Sequence, residues 1–181
     1  MKPTTVTPMR IEQTAIDGML VLHPKTVDDD RGQVRELFRL SAFGAAGVVV
    51  PSRWAQMNLT FTARGALRGL HGETMTKLVG VVRGTAHAAY VDARPDSPTY
   101  RVVVERELVP GMQVLVPPGV CNGFQATSDD GCEYLYCFDT EWSPDLPGVA
   151  VNPLDPSLGI KWPLAPVLSA KDANAPTLSA I

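Results

Sequence analysis

The sequence predicts an all-β protein, built as a barrel or a sandwich of short strands. Sixteen prolines and fifteen glycines punctuate the 181 residues, and both residue types interrupt regular structure. The runs between them are short and rich in Val, Leu, Tyr and Thr, which is typical of sandwiches and barrels. The predicted strands cover residues 18–22, 56–61, 77–82, 87–91, 101–108, 113–116 and 133–138.

Side-chain alternation supports two of these strands. Tyr134 and Tyr136 share one face of the last strand, and in the strand at 87–91 Ala88 and Tyr90 lie opposite the other residues. The interior of a small barrel requires such alternation of small and large residues. Little helix is predicted. Short helices are expected only within residues 33–46 and in the tail after residue 163.

The length and composition indicate one globular domain. A chain of 181 residues can bury a substantial core, and 45% apolar with 19% charged residues is an ordinary globular balance. The net charge of −3, without a Lys/Arg run, disfavours nucleic-acid binding. No apolar run approaches the roughly 18 residues of a membrane span. Residues 1–9 lack a signal-peptide pattern, which favours a cytoplasmic location.

Cysteines and histidines give no obvious metal site. Three cysteines without a CxxC pair are expected to be reduced and partly buried. The histidines are His23, His71 and His87. Metal-dependent barrels often use an HxH pair, a carboxylate and a later histidine, but His71 precedes Gly-Glu and the later position holds Asn122. A catalytic metal normally needs three protein ligands, so no metal is predicted.

Chemistry-bearing motifs run through most of the chain. There is no GxGxxG or GxxxxGK[ST] phosphate loop. The motifs are DRGQVRE at 30–36, ALRGLHGE at 66–73, KLVGVVRG at 77–84, VDARPDSPTY at 91–100, VPPGVCNGF at 116–124, EYLYCF at 133–138, DPSLGIKWP at 155–163 and LSAKD at 168–172. In this order and spacing they resemble the dTDP-4-dehydrorhamnose 3,5-epimerase family, over about residues 18–176. The segments RGLH, VDxRxxSPTY, LGIxWP and LSxKD are the specific ones, whereas PPG alone is weak.

This resemblance implies a cupin-like jelly-roll barrel with a few short peripheral helices, acting as a homodimer without metal or organic cofactor. It implies a core at about 18–164, with segment 165–181 folding back. The expected substrate is a nucleoside-diphosphate-linked 4-keto-6-deoxyhexose, epimerised at C3, C5 or both. Because the carbonyl makes the adjacent C–H bonds acidic, the reaction needs a base, a group that holds the enolate oxygen and an acid on the opposite face.

The resemblance places three residues in catalysis. His71 is the expected base, since an ordinary imidazole with a pKa of about 6.5 suits proton abstraction at neutral pH. Asp172 would orient and support the imidazolium, and Tyr136 would be the acid. Without the resemblance, a surface histidine, a helix-capping or solvated aspartate and a core tyrosine would be the more ordinary explanations of these residues.

Cationic residues are the candidates for charged parts of the substrate. Arg68 and Lys77 are expected at the enolate oxygen and the diphosphate, because a guanidinium binds phosphate bidentately and an ammonium is a point charge. Lys171 is a further candidate phosphate contact. Asp92 and Arg94 are expected to pair, either to stabilise a turn or in catalysis.

The remaining site candidates follow from the same resemblance. Arg31 and Glu36 match a segment that helps to bind the nucleotide, in some members across the dimer interface. Gln56 and Asn58 match a strand that lines the substrate. Trp142 matches an aromatic residue that stacks on the base, and an aromatic plane is a suitable partner for a nucleobase.

Four positions depart from the family pattern, all expected near the pocket. Asn122, which we count among the substrate-binding candidates, replaces a histidine and cannot carry a proton charge at neutral pH. Glu73 stands where Gln is common, Cys137 where Lys is common, and Pro147 where an acidic residue is often found. These departures predict a changed substrate or outcome, including epimerisation at C3 or C5 alone.

Three alternative functions stay open from the sequence. A keto-sugar isomerase would use the same pocket with another proton route, although the intact Tyr136 favours epimerisation. A non-catalytic barrel would bind a nucleotide sugar without proton exchange. A metal-dependent barrel such as a dioxygenase would need stoichiometric metal, which the count of three histidines disfavours.

Overall fold

Short antiparallel strands form most of the computed structural model, which describes residues 3–181. These residues contain fourteen strands and two short α-helices, α1 (Leu40–Ala45) and α2 (Ala170–Ala173). The strands are β1 (Thr5–Thr7), β2 (Arg10–Gln13), β3 (Leu20–His23), β4 (Thr26–Asp29), β5 (Gly32–Arg35), β6 (Gln56–Thr62), β7 (Leu67–Glu73), β8 (Lys77–Arg83), β9 (Ala86–Asp92), β10 (Val103–Leu108), β11 (Gln113–Val116), β12 (Val120–Ala126), β13 (Cys132–Phe138) and β14 (Gly148–Ala150). Neither of these helices is long and apolar enough to cross a membrane.

Two large sheets face each other and enclose the main core. One has the order β2-β3-β11-β8-β13-β6, the other β10-β9-β12-β7-β14, and β1-β4-β5 form a small third sheet. Phe124 of β12 stacks on Tyr134 of β13 with ring centroids 3.8 Å apart and an interplanar angle of 4°. Ala88 and Tyr90 of β9 lie in the same buried cluster. The predicted all-β architecture and the predicted alternation in β9 are therefore confirmed.

The opposite face of β9 is covered by the C-terminal part of the chain. Ala89 and Val91 pack in a second cluster with Leu158 and Leu178. The Asn152 N–H donates to the Pro176 carbonyl at 2.8 Å, and the Leu178 N–H donates to Asp155 at 2.8 Å. These contacts carry α2 to one open end of the barrel.

The seven predicted strands all form, with ends shifted by a few residues. A short helix is confirmed within 33–46 as α1, and residues 33–35 of that region belong to β5. There the chain pairs with β4 in a hairpin whose register joins Asp29 to Gly32. Strand β12 was not predicted, because polar residues and a glycine interrupt its apolar residues, although all of them are buried.

Candidate active site

Several of the candidate residues line one cleft, among them Arg68, His71, Tyr136 and Asp172. A bulge in β7 makes this possible for two of them: His71 pairs with Asn122 and Arg68 with Phe124, so that three steps on β7 match two on β12. An extra residue reverses the alternation of side chains. Arg68 and His71 therefore face the same side although they are three positions apart.

Gly69 allows this bulge. Its φ is +124°, and a Cβ there would lie 2.5 Å from the Gly123 Cα and 2.8 Å from the Asn122 carbonyl oxygen. A side chain at position 69 is excluded by both the backbone angle and the neighbouring strand. The two glycines thus let β7 and β12 approach closely beneath His71.

His71 and Asp172 form a hydrogen-bonded pair. The His71 Nε2 and Asp172 Oδ1 atoms are 2.7 Å apart, and the side chains are 34% and 7% exposed. Because a carboxylate only accepts hydrogen bonds, Nε2 carries the hydrogen and Nδ1 of a neutral imidazole is left to take a proton. Asp172 is held in turn by Ser169, whose hydroxyl caps α2 and accepts from the Asp172 N–H at 3.1 Å.

Tyr136 shares a cleft with this pair. Two adjoining cavities of about 440 and 490 Å³ are both lined by His71, Tyr136 and Lys171, and their size suits a ligand of nucleotide-sugar dimensions. Burial raises the pKa of Tyr136 well above its ordinary value, against the opposing effect of Arg68. The phenol is therefore protonated at neutral pH, which is the form that an acid needs.

Arg68 lines the second cavity beside His71. Its Nε donates to the Thr62 hydroxyl at 3.0 Å and one Nη to the Phe61 carbonyl at 3.4 Å. A guanidinium has five N–H donors, so that Arg68 keeps donors for a ligand. Lys171, on α2, lines both cavities.

Lys77 has a different environment from the other cations. Its side chain is only 4% exposed and lines neither cavity among those described above. Its ammonium donates to the His71 carbonyl at 2.9 Å and to the Asn122 side-chain oxygen at 2.7 Å, and it forms an ion pair with Glu73. The structure therefore places Lys77 and Asn122 beneath the cleft.

The first cavity continues to the predicted substrate-lining strand and the aromatic residue. Asn58 and Trp142 line it. Gln56 supports both, because its side-chain NH2 donates to the Asn58 side-chain oxygen at 3.1 Å and its side-chain oxygen accepts from the backbone N–H of Trp142 at 2.8 Å. Trp142 is 45% exposed and presents a free aromatic surface at the edge of the cleft.

Arg31 and Glu36 lie away from this cleft within their own chain. Arg31, with a side chain 90% exposed, pairs with Asp29 in the hairpin of β4 and β5. Glu36 pairs with Arg39 and lies 3.9 Å from Lys25. Neither residue lines the cavities that contain His71.

Asp92 and Arg94 form the expected pair, at a turn. Arg94 donates to both carboxylate oxygens of Asp92 at 2.8 Å, and Ser97 and Thr99 each donate at 2.6 Å. Burial opposes the charged form of Asp92, but these hydrogen bonds outweigh it and hold its pKa well below the ordinary value. This arrangement stabilises the loop that follows β9.

Two further residues belong to the site. Glu73, expected near the pocket as a departure from the family pattern but given no role, lines the first cavity, two residues after His71 on one strand face. Ser169 fixes Asp172, and the spacing Ser-x-x-Asp is a recognisable capping pattern. Burial favours the neutral form of Glu73, but Lys77 outweighs it and lowers the Glu73 pKa.

Within residues 3–181, no group of three or more His, Cys, Asp or Glu side chains is arranged to hold a metal ion. The three cysteines are buried and free, as expected from the sequence. Burial raises the pKa of Cys137 to about 11. This thiol stands where a lysine is common and is uncharged at neutral pH.

Comparisons with known proteins agree with this geometry. The family profile described as dTDP-4-dehydrorhamnose 3,5-epimerase matches residues 13–180. The dTDP-4-dehydrorhamnose 3,5-epimerase of Methanothermobacter thermautotrophicus is 33% identical over 91% of this chain and 92% of its own length. The dTDP-4-dehydro-6-deoxyglucose 3-epimerase of Streptomyces bikiniensis is 35% identical over 91% of this chain and 87% of its own length.

A solved structure extends the agreement to the fold. The dTDP-6-deoxy-D-glucose-3,5-epimerase of Legionella pneumophila, in complex with dTDP-4-keto-L-rhamnose, superimposes with a TM-score of 0.87 and 32% identity. The match covers 96% of this chain and 95% of the other. The cupin-like barrel implied by the motifs is thereby confirmed, and the chain belongs to the dTDP-4-dehydrorhamnose 3,5-epimerase family.

Proposed function

We propose that this protein is an isomerase that epimerises a nucleoside-diphosphate-linked 4-keto-6-deoxyhexose at C3, C5 or both. The observation that carries the proposal is one cleft lined by a hydrogen-bonded His71–Asp172 pair and by Tyr136. Relatives of similar identity are named as 3,5-epimerases and as 3-epimerases. The stereocentre is therefore an outcome of the experiment below.

The proposed proton steps use His71, Asp172 and Tyr136. Nδ1 of His71 removes the proton from the carbon next to the ketone, and the C–H electrons move into the carbonyl to form an enolate. Asp172 stabilises the imidazolium through its hydrogen bond to Nε2. The enolate carbon then takes the phenol proton of Tyr136 on the opposite face, and solvent restores both residues to their starting forms.

The charged ends of the substrate have partners in the same cleft. Arg68 and Lys171 are the cations that line it, and both suit the enolate oxygen or the diphosphate. Trp142 supplies an exposed ring for the nucleobase. Asn58, supported by Gln56, supplies amide groups for the sugar hydroxyls.

A homodimer is part of the proposal. Strand β6 is an edge strand, and its outward residues Met57, Leu59 and Phe61 are 60%, 59% and 62% exposed. Apolar edge strands are commonly covered by another chain. In such a dimer Arg31 and Glu36 would serve the nucleotide site of the second copy, since they do not line their own.

The dimer can be tested by light scattering after size exclusion. The wild type is expected at twice the chain mass, and Leu59→Glu at the mass of one chain because a charge would lie in the interface. A monomeric wild type would contradict the proposal.

We also propose a cytoplasmic location, supported by the three free cysteines, which are usual in a reducing compartment.

The function is tested with dTDP-4-keto-6-deoxyglucose in deuterated water, followed by NMR of the sugar protons. Deuterium is expected at C3, C5 or both with inversion, and the site of labelling names the reaction. His71→Asn should abolish exchange, whereas His23→Asn, on β3 and outside the cleft, should not. Tight binding without any exchange would instead support a non-catalytic nucleotide-sugar barrel.

A further inference from the structure

Asp172 lies on a segment that runs beside β7, the strand of His71. This segment, residues 164–176, is the C-terminal strap, and its helix α2 has only four residues. The strap meets the barrel at Val167, which forms an isolated parallel bridge with Ala66. The distance between His71 and Asp172 therefore depends on how the strap is attached to the chain around β7.

Gln125 of β12 joins the start of the strap to the chain that leads into β7. Its side-chain Nε2 donates to the Leu164 carbonyl at 3.0 Å, and its Oε1 accepts from the Leu164 N–H at 3.1 Å. Nε2 also donates to the Gly65 carbonyl at 3.1 Å, which accepts in addition from the Val167 N–H at 3.0 Å. One side-chain amide therefore fixes both the strap and the entry to the strand that carries His71.

A second amide holds the strap on the other side of Asp172. Asn152 follows β14, the strand that pairs with β7 at His71. Its side-chain Nδ2 donates to the Ala173 carbonyl at 3.1 Å, and its backbone N–H donates to the Pro176 carbonyl at 2.8 Å. Asp172 is thus held between two attachments, each of which leads to β7.

The burial of Gln125 indicates a role beyond packing. Its side chain is 0% exposed, where an apolar residue is usual, and a buried amide is costly unless its polar groups are hydrogen-bonded. Both polar groups of this side chain are bonded, to main-chain atoms of Leu164 and Gly65. A buried polar network with all its members satisfied fixes one arrangement of the segments that it joins.

We propose that Gln125 and Asn152 are positioning residues that set the distance between His71 and Asp172. The inference rests on the proposed function, which it deepens, because both amides act through Asp172 and neither lines the cavities that contain His71. Without either attachment, the strap shifts and the 2.7 Å hydrogen bond of the pair is lost. A displacement of about 1 Å at a distance from the chemistry costs up to about a hundredfold in rate.

The experiment places Gln125→Met and Asn152→Ala each in the wild type and in Asp172→Asn. Neither substitution changes a charge, so that any effect on His71 passes through the position of the strap. Gln113→Met is the matched control, because it makes the same substitution at a buried position of the other large sheet, 3% exposed. The deuterium-exchange assay gives kcat and KM across pH for each variant, corrected for the folded fraction.

In the wild type, Gln125→Met and Asn152→Ala are each expected to lower kcat by at least about tenfold, with KM within about threefold. The acidic limb of the pH–rate profile should move to lower pH, because the imidazolium of His71 loses the support of the carboxylate. In Asp172→Asn, the same substitutions should change kcat by less than about twofold, since that support is already absent. Gln113→Met should keep the wild-type kcat and pH profile.

Equal losses of kcat in the two backgrounds, or a loss of stability with an unmoved pH profile, would show that the amides only stabilise the fold and would overturn the inference. Asn152→Ala, at a half-buried position, decides the question even where Gln125→Met fails to fold.

A measurement without turnover separates this inference from the proposed function. In nitrogen-15 NMR of the histidines, assigned with His71→Asn, the Nε2–H signal of His71 should show a strong hydrogen bond in the wild type. Gln125→Met and Asn152→Ala should change this signal as Asp172→Asn does. An unchanged signal would overturn the inference even if the wild type exchanges deuterium, whereas a wild type without exchange would overturn only the proposed function.

Discussion

Replacing Asp172 with Asn removes the charge behind His71 while keeping the shape of the side chain. The His71 Nε2 and Asp172 Oδ1 atoms are 2.7 Å apart, and Asp172 is 7% exposed, so that water compensates little for the loss. The Asn amide can also donate to Nε2, which would place the hydrogen on Nδ1, the atom that must accept the substrate proton. We therefore expect a loss in kcat rather than in substrate binding.

The size of the loss follows from two interactions of the imidazolium formed during the reaction. A hydrogen bond to a charged group contributes about 1.5–3 kcal/mol, and unit charges about 4 Å apart attract by about 4 kcal/mol at an effective dielectric constant of 20. These two contributions describe partly the same attraction and are not added, so the larger one sets the upper limit of the loss. At 1.36 kcal/mol for each factor of ten, kcat should fall by about 10-fold to 1,000-fold.

The assay is the initial rate of deuterium exchange with saturating substrate, at several pH values. Asp96→Asn, an exposed position in the loop after β9, is the matched control and should retain the wild-type rate. Thermal unfolding checks that Asp172→Asn is folded. A folded Asp172→Asn variant with a kcat within twofold of wild type would show that the imidazolium needs no support from this carboxylate.

Two further predictions concern the fold around the site. Asp92→Asn should destabilise the protein by about 3 kcal/mol at neutral pH, because Arg94 loses its charged partner. Since the pKa of Asp92 is lowered in the folded protein, this loss of stability should persist above about pH 4 and shrink as the pH falls below it. Denaturant unfolding at several pH values measures it. Gly69→Ala should cost more stability than Gly32→Ala. Both glycines have a positive φ, +124° and +127°, at which a residue with a side chain loses about 1–3 kcal/mol of stability. Only at position 69 would the added Cβ also meet Gly123. Equal losses of stability in denaturant unfolding would show that the close approach of the two strands does not matter.

Sequence patterns predicted seven of the fourteen strands among residues 3–181, and one of these, β11, is buried throughout. Ala88 and Tyr90 alternate with their neighbours because β9 has the barrel interior on one face and the C-terminal cluster on the other. Strand β12 was missed because two polar residues and a glycine interrupt its apolar residues, so that no apolar run marks it. Residues 33–35 lie in the region where a short helix was predicted, whereas pairing with β4 makes them a strand.

The motifs predicted which residues lie together, but not which hydrogen-bond partners the cationic side chains have. His71 and Asp172 are 101 positions apart and form the expected pair. The bulge that brings Arg68 to the same side depends on strand register, which the sequence does not display. The surroundings of Lys77 depend on Asn122, 45 positions away, so its burial could not be read from the spacing of charges.

We propose that His71 and Tyr136 act on opposite faces of one carbon, and the reaction of Tyr136→Phe in deuterated water separates their two roles. Without the phenol proton, His71 should still remove the proton and return deuterium to the same face. We expect the variant to incorporate deuterium while inversion falls by at least about a hundredfold, the lower end of what a positioned acid contributes. Inversion by Tyr136→Phe at the wild-type rate would show that Tyr136 is not the acid.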